Sequence, residues 1–310
     1  MCSSDLPMCT ALTQLFLTVL HYVPDHATWY WRTGMDYPIV AAYFLFSVFA
    51  LGACLGSFLN VCIWRLPLGE SVIDAPSHCT TCGYDIRWYD NLPIISYIVL
   101  RGRCRNCHTH YSCRYLVVEA LTGLLFVAYY VKTGLMQLPL AMTVSGFVMI
   151  LLAITSSWID VKHRIIPDAV NYPAMVLALI AAGAFPEVWG TQSHLLALGG
   201  CLVSGVFWGV VLYFLAWLGR MIFRCDALGL GDVKFMIACA MLLGAPGAFF
   251  VLLLGSLLGT LYGVVFAVFS RKSLKHATIA FGPFLAAAAV VWLFAGEFLL
   301  QIYLQGKLEH

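Results

Sequence analysis

The chain is 310 residues long, 62% hydrophobic and only 10% charged, with a mean hydropathy of +0.88. Soluble domains carry about a quarter charged residues, so this composition excludes one and requires a membrane protein. Seventeen Lys+Arg against 15 Asp+Glu leave a formal net charge of +2, which excludes a charge-driven binder of nucleic acid and moves the information to where the charges sit.

The apolar runs recur along most of the chain, which also excludes a single anchor with a globular head. Residues 1–37 read as an N-terminal extension, non-native in part. Within it the stretch 11–23 is apolar but short and is followed by Pro24, Asp25 and His26, as suits a surface helix, a leader or a ninth span. A first transmembrane helix is expected at 38–64, and a polar insert occupies 65–114. Further runs follow at 115–131, 140–159, 170–187, 194–218, 234–249, 250–269 and 279–304. The expected architecture is therefore an all-α polytopic membrane protein of about eight transmembrane helices, because a bilayer core takes roughly 20 apolar residues per helix. Only Gly244, Pro246 and Gly247 separate the sixth run from the seventh, so a re-entrant pair also fits there. The tail 305–310 ends in Leu308, Glu309 and His310 and reads as a tag scar.

The basic residues give this arrangement a direction. Arg65, Arg87, Arg101, Arg103, Arg105 and Arg114 lie in the insert, Lys162 and Arg164 after the third run, Arg220, Arg224 and Lys234 between the fifth and sixth, and Arg271, Lys272 and Lys275 before the eighth. All fall on one side, while only Arg32, Lys132 and Lys307 of the 17 fall on the other. Basic loops stay in the cytoplasm, so the insert is expected inside and both termini outside.

The insert carries Cys79, Cys82, Cys104 and Cys107 as two CxxC pairs. Four thiolates so spaced can surround one tetrahedral Zn2+, and a small polar insert needs such a staple because it cannot build a large core. Two disulfides are the alternative, disfavoured in a reducing cytoplasm. Four thiolates leave no open coordination position, so the expected zinc is structural. His78, His108 and His110 stand beside the cysteines and read as surface residues. The remaining cysteines, Cys2, Cys9, Cys54, Cys62, Cys113, Cys201, Cys225 and Cys239, show no pairing pattern.

Acidic residues in or at the ends of spans are costly and point to function. Glu119, Asp160, Asp168, Asp226 and Asp232 qualify. Asp160 closes the third run and Asp232 opens the sixth, which places both at one depth on the cytoplasmic side. Gly229 and Gly231 next to Asp232 leave room for a neighbouring helix or an extended peptide to approach the backbone. Two aspartates that meet can activate water for peptide hydrolysis, one taking its proton while the protonated partner polarises the scissile carbonyl. Alternatively each caps a helix or pairs with Lys162, Arg164 or Lys234. Asp168 after Pro167 reads as a helix cap, and Glu119 near Arg114 as an ion pair or a helix-terminus charge. A proton-relaying transporter is the rival class; it predicts inverted repeats and carboxylates near mid-membrane.

The chain resembles the bacterial type IV prepilin leader peptidases that also N-methylate the mature pilin. The likeness runs through Gly56-Ser57-Phe58-Leu59-Asn60-Val61 with Arg65-Leu66-Pro67, the cysteine insert with Asp90-Asn91-Leu92-Pro93 and Leu100-Arg101-Gly102-Arg103-Cys104, and then Arg114-Tyr115 and Glu119. It continues through the Asp160 to Asp168 segment, the GxGD of Gly229 to Asp232 with Lys234, and Phe281-Gly282-Pro283-Phe284. The resemblance implies that Asp160 and Asp232 are the catalytic pair of a GxGD-type intramembrane aspartic protease, with Gly229, Gly231 and Lys234 supporting them and 115–304 as the protease core. It implies an inner-membrane enzyme acting on prepilins and the pseudopilins of type II secretion, with membrane lipid as its surroundings and no nucleic-acid partner. Cleavage would follow a glycine ahead of the apolar pilin helix, and S-adenosylmethionine would methylate the new N-terminus. No GxGxxG loop marks a site for that donor, so its residues stay unassigned, and a peptidase without methyltransferase activity is the alternative.

Overall fold

The computed structural model describes residues 38–73, 77–223, 228–270 and 280–308. The readings made on 1–37, Arg224, Cys225, Asp226, Arg271, Lys272, Lys275, Glu309 and His310 lie outside the described residues. Among those described, the helices are α1 (Pro38–Arg65), α2 (Ile95–Val99), α3 (Arg114–Leu135), α4 (Leu140–His163), α5 (Asp168–Ala184), α6 (His194–Phe223), α7 (Leu230–Ser270) and α8 (Gly282–Leu308). Among the described residues the regular structure is helical apart from two isolated β-bridges in the insert.

Each of the eight expected runs from 38 onward falls largely on a helix where it is described, but the run count and the span count differ. Among the described residues five helices are long and apolar enough to cross a membrane, while Asp168–Ala184 and Gly282–Gly296 are shorter apolar stretches. The runs at 234–249 and 250–269 share the 41-residue α7, whose backbone leaves helical geometry at Gly244 alone, with φ 75° and ψ 172°. Pro246 and Gly247 do not break it, because a proline just after a break sits where its missing N–H is tolerated.

The chain divides into two compact units, one up to Leu140 and the other from Ala141. In the first, α1 runs antiparallel to α3 through a stripe of small residues. Gly52 and Gly56 stand four apart, the spacing that lets helix backbones approach in a membrane, where packing replaces the hydrophobic drive. A Cβ on Gly52 would lie 2.8 Å from the Gly123 Cα, and one on Gly123 2.8 Å from the Phe49 ring. Asn60 Nδ2 donates to the Tyr115 carbonyl at 3.2 Å and fixes the register one turn further on. Gly52→Leu is expected to destabilise this pairing by about 1–3 kcal/mol or more, the cost of overpacking a tight contact. A fall in Tm of the detergent-solubilised protein checks it; a Gly52→Leu protein that melts like the parent rules out the close approach.

In the second unit, the first half of α7 runs antiparallel to α6 and its second half antiparallel to α8. Gly205 and Gly209 of α6 admit Met241 and Ile237, and Ser204 Oγ donates to the Ala240 carbonyl at 2.9 Å. Beyond Gly244, Gly255 receives Leu285 and Tyr262 packs on Phe284 with centroids 5.4 Å apart. Ala178 and Ala182 of α5 join Ala197, Cys201 and Met241 in one buried cluster. Helix α4 is the most enclosed of the candidate spans, and it carries Asp160.

Candidate active site and metal centre

Asp160 lies in the last turn of α4. That helix stops at Arg164, which takes φ 57° and returns its N–H to the Asp160 carbonyl at 2.9 Å, the left-handed cap that usually calls for glycine. The side chain of Asp160 is held from elsewhere. The Gly282 N–H, at the first residue of α8, donates to Oδ2 at 2.8 Å, and Asp160 is left 5% exposed. A Cβ on Gly282 would stand 2.8 Å from that same oxygen, so only glycine brings the amide this close.

Asp232 is the third residue of α7 and half-buried. The helix is opened by the Gly229 carbonyl, which accepts from Val233 N–H at 3.2 Å. A Cβ on Gly231 would meet the Ile166 backbone nitrogen at 3.1 Å, and one on Gly229 would sit 3.0 Å from Asp232 Oδ2. The α4–α5 turn therefore lies directly on the GxGD backbone, which brings the end of α4 and the start of α7 together. Two carboxylates carried at adjoining helix ends can share one proton and act together as acid and base.

Lys234 does not pair with Asp232. Its Nζ donates to both oxygens of Asp168 at 2.6 and 2.8 Å and lies 5.4 Å from the centroid of the Tyr172 ring. This corrects the reading of Asp168 as a cap: Pro167 holds the N-cap position of α5 and no side chain caps it. The Asp168 carboxylate instead ties the start of α5 to the first turn of α7, across the turn that rests on Gly231. Glu119 is likewise corrected. It lies beyond the first turn of α3, is buried, and its Oε2 accepts the Ile94 N–H at 2.8 Å, while Arg114 stacks 5.2 Å from the Tyr115 ring centroid.

Gly282 is the contributor that sequence reasoning did not single out; its signal was the Phe-Gly-Pro-Phe string, which shows a turn but not what the turn touches. Gly282→Ala is expected to lower peptide cleavage by about 10- to 100-fold through displacement of Asp160, since a misplacement near 1 Å costs that order. Its Tm should fall by only a few degrees. Unchanged kinetics for Gly282→Ala would remove the amide from the site.

In the first unit, the four insert cysteines come together with all sulfurs within 4.8 Å of one another. Cys79 and Cys107 Sγ are 3.8 Å apart, and Cys82 and Cys104 Sγ 4.0 Å. A disulfide needs about 2.05 Å, whereas Zn–S bonds of about 2.3 Å set tetrahedral edges of about 3.8 Å. The set could hold a metal ion such as zinc. Each CxxC closes the same turn: Cys79 N–H donates to Tyr84 O and Gly83 N–H to Cys79 O, while Cys104 N–H donates to Thr109 O and His108 N–H to Cys104 O. The residue after each second cysteine is left-handed, Gly83 at φ 70° and His108 at φ 57°. The Cys107 backbone N–H, outweighing burial, holds the Cys104 thiol at about 6, well below the ordinary thiol range, which favours the thiolate that metals bind. His78, His108 and His110 are exposed. Arg105 clamps Asp90, its Nε lying 2.9 and 2.8 Å from the two carboxylate oxygens, and so fastens the second turn to the Trp88–Asn91 segment.

Residues 50–133 match the bacterial peptidase A24 N-terminal domain, and residues 147–264 match the type IV leader peptidase family. The first range holds the four cysteines and the second both aspartates. The chain is 36% identical over 239 residues, 74% of its length and 67% of the relative's, to the prepilin leader peptidase/N-methyltransferase of Myxococcus xanthus (strain DK1622). It is 34% identical to the type 4 prepilin-like proteins leader peptide-processing enzyme of Escherichia coli O78:H11 (strain H10407 / ETEC), over 78% of the chain and 91% of that protein. A Pseudomonas putida prepilin leader peptidase/N-methyltransferase is 34% identical, over 81% and 91% respectively. No solved structure matches the chain.

Proposed function

The chain belongs to the type IV leader peptidase family, and from that premise we propose that it removes the leader peptides of type IV prepilins and type II secretion pseudopilins and methylates the N-terminus it exposes. The observations that support the peptidase half are the Gly282 amide on Asp160 at the end of α4 and the α4–α5 turn lying on the GxGD backbone that carries Asp232. One carboxylate takes a proton from water, and the protonated partner donates to the scissile carbonyl. The water oxygen bonds to the carbonyl carbon, the C–N bond breaks as the departing amine takes the proton drawn from water, and the partner carboxylate recovers its own proton from the gem-diol hydroxyl as the product acid forms. Helix ends are the right depth for this substrate: a basic leader stays in the cytoplasm while the apolar pilin helix packs among the spans, leaving the scissile bond at the interface. A mid-membrane proton relay, as a transporter requires, is not what this arrangement suits.

The same proposal takes the membrane to be the inner membrane, the basic side with the insert and both aspartates to be cytoplasmic, and the termini to lie outside. It counts eight spans, because the 41 residues of α7 extend about 60 Å at 1.5 Å each, twice a bilayer core of about 30 Å. The segment 38–64 is then the first span, 65–114 a cytoplasmic zinc domain whose four thiolates make the metal structural, and 115–304 the protease core. The methyl group comes from S-adenosylmethionine, which supplies an electrophilic methyl to the new amine.

Incubating the purified protein with a prepilin and S-adenosylmethionine labelled in its methyl group tests both halves. Leader removal with label on the mature product is expected. Absence of cleavage overturns the reading, and cleavage without label removes the methylation half and leaves a peptidase.

A further inference from the structure

In the first unit the short helix α2 turns an apolar face outward. Ile95, Ile98 and Val99 are 58, 64 and 69% exposed, and their spacing of i, i+3 and i+4 gathers them on a single side of the helix. The other side of α2 faces the insert. Ser96 is buried and its Oγ donates to the Tyr89 carbonyl at 3.0 Å, while the Tyr97 ring covers Gly102, where a Cβ would stand 2.9 Å from it. Three aliphatic side chains are thus presented outward by a polar insert, and such a patch marks a surface that meets something apolar.

Glu119 sets the depth of this helix. Its Oε2 accepts the N–H of Ile94, the residue just before α2, at 2.8 Å. Glu119 itself lies about 7.5 Å along the candidate span Arg114–Leu135, at 1.5 Å per residue. Trp64, next to the end of α1 and 39% exposed, and Tyr115, whose carbonyl is bonded to Asn60, stand where an aromatic belt meets the headgroups. Helix α2 is therefore fastened beside the end of the α1–α3 pair, at the bilayer boundary. The residues that follow it are basic. Arg101, at φ 53°, and Arg103 are both exposed, whereas Arg105 is committed to Asp90. We propose that α2 is an interfacial foot, which lays Ile95, Ile98 and Val99 into an anionic leaflet, sets Arg101 and Arg103 on the lipid phosphates, and so seats the cysteine insert on the membrane. The assignment rests on α1 and α3 crossing the bilayer and is independent of the peptidase and methyltransferase readings.

Lipid suits this face better than protein does. A stable protein partner needs about 800 Å2 on each side, which three aliphatic side chains do not supply. So short a helix could not hold a free chain to a membrane either, since binding in the interface scales with the apolar area buried. It has no need to, because α1 and α3 already hold the insert there, and insertion of α2 is an intramolecular step. The charge then selects the lipid. Guanidinium groups next to an apolar face favour anionic headgroups, whose phosphate oxygens match the planar fork of arginine.

The test uses the full-length protein in nanodiscs of equal parts phosphatidylcholine and phosphatidylglycerol. The photocrosslinking residue p-benzoylphenylalanine replaces Ile98, and mass spectrometry identifies what it captures. Lipid adducts are expected, with phosphatidylglycerol exceeding phosphatidylcholine by at least about 5-fold, the scale of one basic residue at an anionic surface. Arg101→Ala combined with Arg103→Ala should bring that ratio to about unity. Ile95→Asp combined with Val99→Asp should lower total lipid capture by about 10-fold or more, because a carboxylate resists entry into the acyl region. All four side chains are exposed, so these variants should keep the parent Tm. Should the replacement at Ile98 lower the Tm, the same probe at Val99 gives the reading. Capture of a second copy of the chain in place of lipid, or no lipid adduct from a protein with the parent Tm, overturns the foot. Equal capture of the two lipids by the parent overturns the role of Arg101 and Arg103.

Discussion

An Asp160→Asn enzyme is expected to cleave prepilin at least about 10³-fold more slowly than the parent, and Asp232→Asn the same, because each removes one half of a coupled acid–base device. The double variant should be no slower than either single one, since groups that act as a unit are grossly non-additive when removed. Stability should move the other way. Asparagine keeps an oxygen that can accept the Gly282 N–H seen at 2.8 Å, and it removes a carboxylate from a position as enclosed as that of Asp160, at 5% exposure. An unchanged Tm, or one raised by the equivalent of about 1 kcal/mol, is therefore expected for both variants. Loss of activity together with loss of fold would speak for a structural role, and retention of a tenth of the parent rate by either variant would sink the two-carboxylate mechanism.

How far the site could be read in the sequence follows from what kind of information each part needs. Asp160 and Asp232 stand out in the sequence because a carboxylate at the end of an apolar run is expensive wherever it is found, and the structure keeps both at helix ends. The cysteines were legible because two short CxxC spacings need only local geometry to bring four sulfurs within 4.8 Å. What stayed hidden was long-range pairing. Gly282 lies 122 residues from the aspartate it serves, and nothing local to Phe281 or Pro283 indicates that partner. Lys234 and Asp168 are 66 residues apart; the local rule for a carboxylate after proline suggested a cap, and an available ammonium across the turn took it instead. The stripe of Gly52 and Gly56 was present as a pattern, but its meaning depends on Gly123 being the residue opposite. The break in α7 was placed correctly in sequence by Gly244, but a single non-helical residue does not tell how many times the helix crosses a bilayer.

Removing the metal separates the two proposed chemistries. Structural zinc contributes folding free energy outright, of the order of 10–16 kcal/mol in small finger peptides, and the insert has little core of its own: Cys79 and Cys104 are among its few buried apolar side chains. Chelation, or Cys104→Ser, is therefore expected to release about one zinc per chain and to open residues 77–113 to proteolysis. The consequences should be unequal. The insert belongs to the part of the chain that matches the N-terminal domain, and methyl transfer is expected to fall by at least about 10²-fold once its turns unravel. Asp160 and Asp232 are carried by α4 and α7 of the second unit and held there by Gly282 and the α4–α5 turn, so leader cleavage should fall far less. Metal analysis, limited proteolysis and the prepilin assay with methyl-labelled donor on the same preparation measure zinc, insert order and the two reactions. If chelation abolishes cleavage and methylation in parallel while the transmembrane helices keep their melting transition, the insert serves the peptidase directly and the division of labour drawn here is wrong.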